Sequence, residues 1–241
     1  RPGLYPVKPH FLLCFLQFWI KISLIVKPSS NIWFMQCQNP ACGLRFPLDR
    51  AEFKGTYCPR CGGELQPSVP ALPQSQPTAN PPSNVQSLTG ILDNIRSAQN
   101  VGALFRTADG AGLHKLWLCG ITPTPTNNAQ IAKTALGTEL TLPWESAPST
   151  LALVQMLKAQ GVRIFALENT PQAISLFDYA LPAEGQPTTL VVGNEPAGVD
   201  PAVLPLADAV LSLPMAGSKG SLNVAVAFGI AVYYLRFGAR A

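Results

Sequence analysis

From residue 85 to the C-terminus, short apolar runs alternate with helical repeats, and this alternation constrains the fold more than any other feature. Residues 85–92 predict a strand. Residues 100–111 predict a helix with Val101, Leu104, Phe105 and Ala108 on one face. A short buried strand follows at 116–119, then helices at 128–136 and 151–159, the second stopped by Gly161. Residues 163–167, 189–192 and 210–213 are further strands, and 222–236 is a long, mostly apolar final helix. Such alternation predicts an α/β domain over residues 85–241, built on an open parallel sheet covered by helices. Ligands of these sheets bind beyond the carboxyl ends of the strands.

The preceding segment, residues 66–84, contains six prolines and no charge, and reads as a semi-extended linker that builds no core. Before it, residues 35–65 hold four of the six cysteines, as Cys37-x4-Cys42, fifteen residues, then Cys58-x2-Cys61. Asn39-Pro40 lies inside the first pair and Pro59-Arg60 inside the second, with Gly43 and Gly62 just after. Short turns of this kind let two thiolates converge on one ion. Four thiolates make a closed, tetrahedral, structural zinc site. A module of about thirty residues buries too little surface to fold alone, so the metal supplies folding energy. The alternative is a redox Cys-x-x-Cys. The matched first pair and the lack of thioredoxin-like context weigh against it. The module resembles zinc ribbons. Paired cysteines used this way point to a reducing, cytoplasmic compartment.

Residues 1–34 differ from the rest. They begin at Arg1 and contain a mostly apolar run, 11–26, broken by Lys21. The run is short for a membrane span. A basic start and an apolar run also describe a signal peptide, but no small-residue cleavage pattern follows. Met35 stands two residues before Cys37, so the expectation is a native start at Met35, with 1–34 a non-native or misassigned extension. Membrane association is expected only if 1–34 is native.

Charge limits the readings. Charged residues are 12% and hydrophobic residues 47%, which excludes a disordered chain. Residues 85–241 hold nine basic and ten acidic residues, so any nucleic-acid contact there rests on locally placed Arg and Lys.

Three segments of this domain carry polar groups at strand–helix junctions. Residues 92–109 read LDNIRSAQNVGALFRTAD. Here Asn100 can cap the helix, Gly102 allows close backbone approach, and Arg106 follows six residues on and can reach back to the helix start. Residues 190–195, LVVGNE, end an apolar strand in Gly193-Asn194-Glu195, with Gly198 and Asp200 beyond; Pro196 removes one backbone donor. In the third, Leu213-Pro214-Met215 closes a strand, and Ser221-Leu222-Asn223 opens the last helix, with Ser221 placed as its cap. Bland readings coexist with these: a surface arginine, a loop acid, a helix-capping serine.

Together and in this order, the segments resemble the three signature motifs of the SpoU/TrmH-type RNA 2′-O-ribose methyltransferases, of the SPOUT superfamily. The resemblance covers residues 85–241. It implies a parallel-sheet SPOUT domain with a C-terminal trefoil knot. It implies S-adenosylmethionine as cofactor, held by Val192, Gly193, Asn194, Leu213, Met215 and Leu222. It implies RNA (tRNA or rRNA) as substrate, and a homodimer with the final helix in the interface. Arg106, Asn100, Glu195, Ser221 and Asn223 would form the catalytic group, with Arg106 either the base or a grip on the RNA phosphate. Structural zinc on Cys37, Cys42, Cys58 and Cys61 completes the expected cofactors. A non-catalytic S-adenosylmethionine- or RNA-binding factor of the same fold is the alternative. Arg45, Arg50, Lys54 and Arg60 with Phe46, Phe53 and Tyr57 fit either an RNA-binding face on the ribbon or a small core with solubilising charges.

Overall fold

The computed structural model describes residues 31–72, 87–181 and 186–238. Residues 1–30 and 73–86 lie outside them, and with them most of the N-terminal extension and the linker. The chain divides between residues 78 and 79 into two compact units.

The first unit is a three-stranded antiparallel sheet in the order β2-β1-β3, from β1 (Ile32–Cys37), β2 (Arg45–Asp49) and β3 (Leu65–Pro70). Met35, Cys37, Cys58 and Leu65 form its small core, with Trp33, Leu44, Phe46 and Leu48 packed alongside. The sheet extends beyond residues 35–65 at both ends. Residues 66–70, expected to be linker, pair with β1. Pro67 and Pro70 are tolerated because β3 is an edge strand and its register shifts between Phe34 and Met35.

The second unit holds a seven-stranded sheet in the order β6-β5-β4-β9-β7-β10-β8, with every pair parallel. In chain order its elements are β4 (Leu88–Asp93), α1 (Ala98–Gly110), β5 (Lys115–Cys119), α2 (Ala132–Ala135), α3 (Thr138–Thr141), β6 (Trp144–Ala147), α4 (Thr150–Ala159), β7 (Arg163–Leu167), β8 (Ile174–Ser175), β9 (Thr188–Val192), β10 (Ala209–Ser212) and α5 (Val224–Phe237). Strand β9, TTLVV, is buried throughout, as a central parallel strand covered on both faces must be. Alternate residues feed two cores. Leu92, Leu118, Leu190 and Val192 face α1 and α5; Ile91, Cys119, Val191 and Ile164 face α4. Phe228 of α5 is fully buried against the first set. Truncation of such a ring to alanine costs about 3–5 kcal/mol.

Two local expectations change. The helix expected over 128–136 is the single turn α2, and a second single turn, α3, follows it. Asn128 makes a turn by accepting from Gln130 N (3.0 Å), and Leu136 and Gly137 adopt positive φ (55° and 96°). Strands β6 and β8 were not expected; both are short, partly exposed edge strands without an apolar run.

Candidate active site and metal centre

Strands β7, β9 and β10 end side by side, and the loops that follow them meet the start of α5 around a cleft of about 540 Å³. That volume suits a cofactor-sized ligand. Its lining includes Val192, Gly193, Asn194, Glu195, Leu213, Met215, Ser221, Leu222 and Asn223. Every residue expected to hold the cofactor is therefore on one wall or another of it. Polar lining residues with no earlier expectation include Glu168 and Asn169, just beyond β7.

The β9 loop is shaped by close contact. Asn194 and Gly198 pair through both backbone groups (3.0 and 2.8 Å), and Asn194 Oδ1 accepts from Ala197 N (3.0 Å). A Cβ on Gly193 would lie 2.1 Å from the Gly198 carbonyl carbon, so only glycine fits. Asn194 Nδ2 donates to Asn94 O (2.6 Å), tying the loop to the end of β4. Asp93, 1% exposed, holds the other side: its carboxylate accepts from Asp200 N (2.8 Å), Asn94 Nδ2 (2.8 Å) and the Thr150 hydroxyl. Asp93, Thr150 and Asp200 thus support the loop from beneath.

Glu195 joins this loop to α1. Its oxygens accept from Arg96 N (3.0 Å), Ser97 N (3.1 Å) and Asn100 Nδ2 (2.9 Å). Burial pushes the carboxyl upward, but the bonds from Arg96 N–H, Asn100 and Ser97 N–H outweigh it, and the group sits below its ordinary value. Asn100 Oδ1 in turn accepts from Asn223 Nδ2 (3.1 Å). One polar chain, Glu195–Asn100–Asn223, therefore links all three segments.

The helix caps differ from expectation. Ser97, not Asn100, caps α1 by accepting from Asn100 N (3.2 Å), which frees the Asn100 side chain for Glu195 and Asn223. Asn223, not Ser221, caps α5 by accepting from Ala225 N (2.9 Å); Ser221 lies exposed two residues earlier, on the cleft. Gly102 does permit close approach, of the 131–135 turn: a Cβ there would lie 2.3 Å from Ile131 O. Arg106 is exposed and is not joined to the Glu195–Asn100–Asn223 chain among the described residues. Six residues at 3.6 per turn place it about a third of a turn round the helix from Asn100, not on the same face.

In the first unit, the four sulfurs of Cys37, Cys42, Cys58 and Cys61 lie within 4.8 Å of one another. Cys37–Cys61 is 3.5 Å and Cys42–Cys58 3.8 Å. Zinc with ~2.3 Å bonds to four thiolates needs sulfurs about 3.8 Å apart, so the cluster fits that ion. Asn39 starts the first turn, with Cys42 N and Gly43 N donating to its carbonyl; Gly62 N donates to Cys58 O in the second. Burial pushes the Cys37 thiol up to about 12. Burial also raises Cys58, but N–H groups of Arg60 and Cys61 prevail and bring it to about 7. The four cysteines can hold a zinc ion.

Residues 87–233 match the family model of the SpoU rRNA Methylase family. The chain belongs to that family. Among SpoU relatives, it is 37% identical over 150 residues to the 23S rRNA (guanosine(2553)-2′-O)-methyltransferase RlmP of Bacillus subtilis, a match covering 61% of this chain and 56% of that enzyme. It is 32% identical over 146 residues to the 23S rRNA (guanosine-2′-O-)-methyltransferase RlmB of Pectobacterium atrosepticum, covering 59% and 57%. The chain thus spans little more than half the length of these relatives. Among solved structures, it resembles the SpoU methyltransferase AviRb of Streptomyces viridochromogenes in complex with the cofactor AdoMet (TM-score 0.56, 26% identity, 73% of this chain and 68% of that one). It also resembles the A. aeolicus TrmH/SpoU tRNA modifying enzyme (TM-score 0.56, 28% identity, 64% and 75%). The parallel sheet and its terminal cleft are the SPOUT methyltransferase architecture.

Proposed function

We propose that this chain is an S-adenosylmethionine-dependent methyltransferase that modifies a ribose 2′-hydroxyl in tRNA or rRNA. The observation that carries the reading is the Glu195–Asn100–Asn223 chain, which fixes three separate segments at the rim of a cofactor-sized cleft. The relatives named as 2′-O-methyltransferases support the reaction, and the AdoMet complex of AviRb supports the cofactor.

When bound, S-adenosylmethionine supplies the sulfonium methyl. The backbone of the β9 loop, with Leu213 and Leu222, offers an apolar wall for an adenine ring. Glu195 and Asn100 hold the first turn of α1 in place, and Asn223 and Ser221 present polar groups to a ribose at the rim. Arg106, exposed on α1, grips an RNA phosphate and polarises the attacking hydroxyl. Guanidinium groups stay protonated, so the hydroxyl proton passes to another acceptor. The reading includes a trefoil knot and a dimer. The first rests on the match to the SpoU family; the bond from Asn169 Nδ2 to Gly220 O (3.2 Å) ties the β7 loop to the segment before α5. Exposed Val226, Ile230, Tyr233 and Phe237, at helical spacing along α5, support the second.

The test separates binding from transfer. Arg106→Ala should retain cofactor affinity within about twofold by calorimetry and lose transfer of tritiated methyl to RNA by at least about a hundredfold. Substantial retained transfer would remove Arg106 from its role.

A further inference from the structure

The cleft has a charge pattern that the proposed reaction does not yet use. Among its described lining residues the charged ones are Glu168 and Glu195; neither Lys, Arg nor His lines it. Glu195 is committed to the first turn of α1. Glu168 belongs to the cleft wall alone. It is half-buried at the carboxyl end of β7, where Oε2 accepts from Val199 N (2.8 Å) and Oε1 from its own neighbour, Asn169 N (2.9 Å). These bonds fix the carboxylate against the β9 loop without filling its acceptor capacity. Gly198 is what lets it approach, since a Cβ there would lie 2.3 Å from Glu168 Oε2. Val192, Leu213 and Leu222 line the same cleft and strengthen the field of an anion held there.

We infer that Glu168 is a charge-selecting residue of the cofactor cleft, favouring a ligand with a positive charge over the same ligand without it. The inference rests on the S-adenosylmethionine reading. In that reaction the sulfonium S–CH3 bond breaks with its electron pair left on sulfur, an O–CH3 bond forms, and the hydroxyl proton leaves to an acceptor. The bound sulfur compound goes from cationic to neutral, while its ammonium and carboxylate are unchanged. A cleft whose described lining residues include carboxylates and no cation therefore favours the substrate form over the spent form. Glu168 gives the enzyme an electrostatic reason to release S-adenosylhomocysteine and reload.

The test is calorimetric titration of the whole chain with S-adenosylmethionine and with S-adenosylhomocysteine. One charge at the cleft wall is expected to change the ratio of the two affinities on the order of fivefold. Glu168→Gln should therefore weaken S-adenosylmethionine about fivefold more than S-adenosylhomocysteine, and the gap should narrow as salt rises. Glu168→Asp, which keeps the charge, should keep the wild-type ratio even if the altered loop weakens both ligands. Equal weakening of both ligands by Glu168→Gln would make the residue a loop latch and overturn the inference. Unchanged affinity for both ligands would do the same. Failure of the wild-type chain to bind either ligand would instead overturn the cofactor reading on which it stands.

Discussion

Glu195 accepts hydrogen bonds from Arg96 N and Ser97 N just before α1 and from Asn100 in its first turn, while sitting on a loop ninety-five residues from Asn100 in sequence. Its folded carboxyl lies below the ordinary value of 4.5, so its stabilising effect is complete above that value. The effect is lost as pH falls through the lower, folded value. The contribution of Glu195 to folding stability should thus be complete above pH 4.5 and be lost progressively as the medium is acidified below it. Glu195→Gln places an amide NH2 against backbone donors and should lower methyl transfer about a hundredfold through misplacement of α1. Thermal unfolding of both proteins over a pH series and transfer of tritiated methyl check this; a stability gap between them that closes well above pH 4.5 would contradict it. The sequence marked Asn100, Glu195 and Asn223 because each is a polar group at a strand or helix end. It did not separate capping from bridging, because Ser97 and Asn100, or Ser221 and Asn223, are equally good caps by residue type. Asp93 and Glu168 ended apolar strands in the same way as Glu195 and carried the same signal. An acid in that position is indistinguishable from a solvated loop residue until its donors, Asp200 N and Val199 N, are located.

At the level of elements, the central parallel strands β4, β5, β7 and β9 were legible because burial forces apolar runs, and β10 by its short apolar run although only Leu211 in it is buried. Strands β6 and β8 were not, since half-exposed edges impose no such run. The proline-bearing β3 failed for a related reason: its pairing with β1 is an edge contact that composition alone reads as linker. The convergence of the four paired cysteines was legible, because two short turns, each carrying a pair, bring their thiols to one place, and such a set can hold a tetrahedral ion. The ribbon core of Met35, Cys37, Cys58 and Leu65 is too small to sustain a fold. Purified protein should carry about one zinc per chain. Chelation should remove the ribbon's antiparallel structure and leave the main transition intact. Elemental analysis and thermal unfolding monitored by circular dichroism, with and without chelator, measure both. Metal-free protein with an intact ribbon would contradict the zinc reading.

For the whole molecule, the division between residues 78 and 79 predicts that residues 87–241 form an autonomous methyltransferase unit. That fragment should fold cooperatively and bind S-adenosylmethionine within about twofold of the full chain, since every described residue lining the cleft belongs to the second unit. Insolubility or loss of cofactor binding would show that the ribbon completes the fold. Phe46 packs into the ribbon's small core, whereas Phe53 and Tyr57 are exposed beside Lys54 and Arg60. The described residues contain no helix long and apolar enough to cross a membrane. A 2′-O-methyl ribose cannot form the cyclic phosphate through which alkali cleaves RNA, so the adjoining linkage survives hydrolysis. Transfer RNA and ribosomal RNA incubated with the chain and methyl-labelled S-adenosylmethionine, then digested with alkali, should yield the label in resistant dinucleotides. Label in mononucleotides, which marks a methylated base, or no label in either RNA, would contradict the account.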